Sequence, residues 1–144
     1  APSGADIDLH LIRPGGRFFK NPEDVCYCNP NPDWGVVGQA DDNPFLDRDD
    51  LVGPGPENIN LTRAPYDGEY DVVAHHFAAN GHSGPVDVTI EVRLRGNLVS
   101  TRTQSMNPGE RWIAGRINWN TASQSGSFAP HFLGSFPTIY SLCF

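Results

Sequence analysis

The chain has 144 residues, a net charge of −7 and a sequence pI near 5.0. A length of this order predicts a single domain with a core of its own. The acidic balance excludes a nucleic-acid partner, which asks for clustered Lys and Arg to displace counterions. With 15 Gly, 13 Pro and one Met, the chain lacks the filling from which surface helices are made. No apolar run approaches the roughly 20 residues of a membrane-spanning helix.

The chain opens on APSG, with neither Met nor an apolar leader, as expected of a processed piece of something larger. Ile7, Leu9 and Leu11 then alternate with Asp8 and His10, which predicts a half-buried strand with a polar outer face. Pro14, Gly15 and Gly16 end it. Further strands are predicted over 25–28, 45–49, 58–62, 69–78, 86–95, 98–106 and 111–119. Many short strands punctuated by Gly and Pro point to an all-β, antiparallel sandwich. Turn residues at 67–68, 95–97 and 107–109 predict that the last four strands run as a meander. Between them and the first strand lies a long loop, 30–50, rich in Asp, Asn, Gly and Pro, a kind that is usually functional or disordered. The sandwich is expected to occupy 1–119. Residues 120–127 read as a linker, and 128–144 as an apolar tail with an aromatic every fourth residue, packing on the domain or on a partner.

The charge is unevenly placed. The first 57 residues hold 11 acids and 4 bases, the whole of the net charge, and six of those acids fall within 41–57. Two carboxylates about 5 Å apart repel by roughly 3 kcal/mol at an effective dielectric near 20. A converging group therefore spreads into solvent or holds a cation. Asp47, Asp49, Asp50 and Glu57, with Gly53 and Gly55 to turn the backbone, offer the oxygen ligands that Ca²⁺ prefers. Their spacing fails the EF-hand pattern, so the other half of a site must come from elsewhere. Asp6 and Asp8 share a strand face about 6.6 Å apart at Cα and are the expected complement.

His10 and His75 are candidate ligand-binding residues, expected to meet across the sheet. A zinc site built on them needs a further ligand, His82 or a cysteine. Cys26, Cys28 and Cys143 allow at most one internal disulfide. A bridge from Cys26 or Cys28 to Cys143 would close a loop of more than about 100 residues and stabilise by a few kcal/mol, in an extracytoplasmic setting; the other outcome is unpaired thiols. Trp112 and Trp119 alternate with polar residues and are expected in the core, whereas Trp34, in the long loop, is the candidate sugar-stacking platform. The sequence has no G-x-S-x-G elbow, H-E-x-x-H or C-x-x-C, so enzymatic activity is not expected, a metal-dependent hydrolase being the remaining alternative.

Four ordered motifs, DIDLHLIRPGG at 6–16, DVCYCN at 24–29, the pair DRDD at 47–50 and GPENI at 55–59, and APYDGEYDVVAHHF at 64–77, resemble the YfaP-like domains of bacterial secreted and surface proteins. More distantly, the chain is similar to the pre-peptidase C-terminal domains of secreted proteases. The resemblance spans roughly residues 4–119. It implies a β-sandwich of jelly-roll or immunoglobulin-like kind, an accessory module of a larger extracytoplasmic protein, non-catalytic, binding Ca²⁺ by analogy with calcium-binding relatives. Partners would be other domains of the parent protein, or a glycan or peptide. Cys28 departs from the pattern, where an aromatic is the more familiar occupant.

Overall fold

A computed structural model describes residues 7–27, 29–46, 57–76, 84–132 and 134–137. The fold is all-β, with no helix among the described residues. Its strands are β1 (Ile7–Ile12), β2 (Asp24–Val25), β3 (Phe45–Leu46), β4 (Ile59–Asn60), β5 (Gly68–His76), β6 (Val86–Leu94), β7 (Asn97–Met106), β8 (Glu110–Asn120), β9 (Ser125–Pro130) and β10 (Ser135–Pro137). They form antiparallel sheets that do not close into a barrel. The main sheet runs β10-β8-β5-β1-β2, with β9 on the same edge of β8 as β10; β3–β4 and β6–β7 are separate pairs.

β6 shows why the layers stack. Val86, Val88, Ile90 and Val92 are buried while Asp87, Thr89, Glu91 and Arg93 face solvent, the period of two that β-branched residues favour on a pleated surface. The apolar side packs on Val72 and Ala74 of β5 and on Trp112 and Ala114 of β8, with Met106 of β7 closing the cluster. Burial of each aliphatic side chain contributes roughly 2 kcal/mol. At the hairpin tip Arg95 and Gly96 both have positive φ, 53° and 81°, the two-residue turn whose twist matches that of the strands.

Two sequence expectations give way here. The last four strands are not a meander, because β5 pairs with β1 and β8 while β6 and β7 pair only with each other. β6 carries one wholly apolar face, and stacking it on the main sheet buries more than edge pairing would. Residues 120–127, read as a linker, instead make the β8–β9 hairpin. Asp67 accepts a hydrogen bond from Thr121 N at 2.7 Å, and Asn120 Oδ1 one from Ser123 N at 3.0 Å. The Ser- and Asn-rich composition that suits a flexible linker equally suits a tight turn.

The tail begins as sheet. His131 N donates to Ala114 O at 3.1 Å between β9 and β10, and Arg102 donates to the carbonyls of Ala114 and His131 at 2.5 and 2.8 Å. Phe128 packs on the core, but Phe132 is 79% exposed under the Arg102 guanidinium. The one-sided aromatic stripe is thus broken beyond Pro130; Tyr140 and Phe144 lie outside the described residues.

Candidate metal centre

β1 carries Asp8, His10 and Ile12 on one face. Antiparallel register sets His75 of β5 opposite Asp8 and Val73 opposite His10, and β8 continues those rows with Arg111 and Ile113. The sequence reads this as the polar outer face of β1, open to solvent or to a cation. Instead Asp8 is 1% exposed and His10 0%. The connection from β1 to β2 folds back over the face and places Phe18 and Phe19 on it, packed with Ile12, Cys26 and Val73. His10 meets both rings, centroids 4.6 and 4.8 Å away, and Arg111 lies 4.8 Å over Phe18.

β2, paired to the end of β1, brings in Asp24. Its Oδ2 accepts two hydrogen bonds, from His10 Nδ1 at 2.7 Å and from Phe19 N at 2.7 Å. The second fixes a strained residue: Phe19 has φ 62°, a left-handed conformation costing roughly 1–2 kcal/mol for a side chain with a Cβ. Cys26, 1% exposed, lies just beyond β2. One ligand atom each from His10, Asp24 and Cys26 lies within 4.8 Å of the others. Asp24 Oδ1 and His10 Nε2 are buried and have no hydrogen-bond partner among the described residues, an arrangement that costs about 1–3 kcal/mol per group.

His75 joins the cluster edge-on to His10, with centroids 6.2 Å apart, so the predicted meeting of the two histidines across the sheet is seen, though under a roof. Burial, reinforced by His10, His76 and Arg111, pushes the His75 pKa down to about 3, so the ring is neutral at pH 7. Neutral imidazole, carboxylate and thiol together are the donor set of zinc-class ions rather than of calcium.

The expected calcium ligands are placed only in part. Asp6, Asp47, Asp49 and Asp50 lie outside the described residues, as do Cys28, His82 and Cys143. Glu57 Oε1 accepts a hydrogen bond from Leu9 N at 2.9 Å, so the far end of the acidic loop reaches the peptide group that joins Asp8 to Leu9. β3 pairs with β4, which brings together the two ends from which residues 47–56 depart. Two other loop acids point elsewhere. Asp42, 2% exposed, accepts a hydrogen bond from Val36 N at 2.8 Å, and Asp41 lies 3.7 Å from Arg63. There is no disulfide among the described residues.

Trp34 is corrected outright. It is 0% exposed, its Nε1 donates to Pro22 O at 2.7 Å, and it packs with Val25, Leu46 and Tyr70. The loop has a small core of its own and Trp34 is its centre, so no ring face is left for a sugar. Sequence reasoning also missed Asp24 and the Phe18–Phe19 pair as parts of a site. Two adjacent aromatics in a turn-rich connection are the signal that the connection docks.

A cleft of about 720 Å³ opens between the β6–β7 layer and the main sheet, lined by Leu9, Leu11, Val72, Ile90, Val92 and Ile117. No protein-family model, curated protein or solved structure matches this chain.

Proposed function

We propose that the chain is a non-catalytic, calcium-binding accessory module of an extracytoplasmic protein, of YfaP-like kind, with its sheets arranged as a jelly-roll or immunoglobulin-like sandwich. The observation that carries the calcium reading is the hydrogen bond from Leu9 N to Glu57, which sets an acid of the loop beside the strand of Asp8. Ca²⁺ would neutralise the acids of 47–57 and pin them to β1. The sandwich reading draws support from Tyr70, whose hydroxyl donates to Tyr66 O and accepts from Tyr66 N, both at 2.9 Å, a corner found in immunoglobulin-like sandwiches.

An ion that binds only the folded chain stabilises it by about 2.7 kcal/mol at a hundredfold excess over Kd, or about 10 °C in Tm for a domain of this size. Calorimetry with Ca²⁺ and then with chelator tests this. Glu57→Gln, which keeps an acceptor for Leu9 N, is expected to shrink the shift. An unchanged Tm on chelation overturns the reading. The cleft favours a second reading, a module that takes a peptide or small apolar ligand, since 720 Å³ lies within the usual range for such sites. Saturable binding from a peptide library, lost on Ile90→Asp, is its test.

A further inference from the structure

We propose that His10, Asp24 and Cys26 form a second metal site, selective for a zinc-class ion and sealed beneath Phe18 and Phe19. It uses none of the acidic-loop residues, so it stands or falls separately from the calcium reading. Three observations carry it. Nitrogen, oxygen and sulfur donors from residues 14 and 2 apart in sequence converge within 4.8 Å. All three side chains are buried. Within the group, Asp24 Oδ1 and His10 Nε2 have no hydrogen-bond partner among the described residues, although the other carboxylate oxygen is doubly engaged.

Around tetrahedral zinc, with Zn–N near 2.0 Å and Zn–S near 2.3 Å, donor atoms stand about 3.5 Å apart. From separations of up to 4.8 Å the three groups therefore need to close by at most about 1.3 Å, a shift of the size side-chain torsions supply. His75, edge-on to His10 at 6.2 Å, is placed to complete the set. Binding gives the Cys26 proton to solvent and turns the thiol into a thiolate; no other bond changes. The ion would relieve the orphaned carboxylate oxygen and tie β1, β2 and the residue after β2 into one unit. A soft or borderline ion is favoured over Ca²⁺, which takes six to eight oxygens.

The test is titration of the full chain with Co²⁺, in excess Ca²⁺ and under reducing conditions. One Co²⁺ per chain is expected, with a sulfur-to-metal charge-transfer band and intense visible bands, both bleached by one equivalent of Zn²⁺. Cys26→Ser should abolish the charge-transfer band while leaving the circular dichroism unchanged, and Asp24→Asn should weaken binding at least tenfold. No absorption with the wild-type chain overturns the proposal. So does a band that survives Cys26→Ser and disappears in Cys28→Ser or Cys143→Ser. Should Cys26→Ser fail to fold, X-ray absorption of the zinc-loaded wild-type chain decides: one sulfur among nitrogen and oxygen neighbours supports the site, and a shell of only nitrogen and oxygen, or of several sulfurs, refutes it.

Discussion

Replacing Asp24 with alanine removes the acceptor that holds both the His10 ring and the Phe19 amide. Each donor is then left buried without a partner, at about 1–3 kcal/mol apiece. Phe19 also loses the bond that keeps it at φ 62°, so the roof over β1 loosens. Together these predict a loss of about 3–5 kcal/mol, the size seen when one member of a buried pair is deleted, from a total near 5–15 kcal/mol. Urea unfolding of the metal-free chain, followed by tryptophan fluorescence, should show the midpoint falling by about 2 M, since m is roughly 1–3 kcal/mol/M. Asp24→Asn keeps an oxygen for Phe19 N and should lose only about 1–2 kcal/mol. A loss below about 1 kcal/mol for Asp24→Ala, with m unchanged, would refute the claim that this carboxylate organises the face.

Three further outcomes follow from the same geometry. Trp34→Ala should cost about 3–5 kcal/mol in thermal unfolding and Trp34→Phe about 1–2 kcal/mol through the lost bond to Pro22 O; a Trp34→Ala chain as stable as wild type would contradict its burial. A Cβ at Gly115 would overlap the Phe128 ring and the Ala129 carbonyl, so Gly115→Ala should cost about 1–3 kcal/mol and speed hydrogen exchange of the 125–130 amides, with unaltered exchange as the opposing result. Because His75 titrates at about 3 when folded against 6.5 in the open chain, the unfolded form takes its proton first. Stability of the chelated protein should hold above about pH 6.5 and fall towards pH 3, by up to about 1.4 kcal/mol per pH unit; the same slope in His75→Asn would show that another group is responsible.

Strand positions were legible because alternation is a local property. Ile7 to Ile12, Val86 to Leu94 and the Arg95–Gly96 turn stand within a residue or so of where apolar periodicity and turn chemistry place them. Partner choice was not legible. Whether β6 pairs with β5 or stacks on it depends on the area buried between whole faces, which no short window contains. The candidate site was hidden by the same limit: Asp8, His10 and His75 look like a wet face until Phe18 and Phe19 are known to fold over it. Trp34 misled for the complementary reason, since a tryptophan among polar residues can be the centre of a loop's own small core.

Glu57 has a consequence beyond any bound ion. Among the described residues, β2 pairs only with Leu11 and Ile12 of β1, and the edge ahead of them is of the kind to which a stray chain adds by main-chain pairing. A carboxylate seated on the Leu9 amide blocks such addition. Whatever draws Glu57 off the Leu9 amide would therefore also free that group for pairing with another chain, linking one side-chain contact to the protein's solubility.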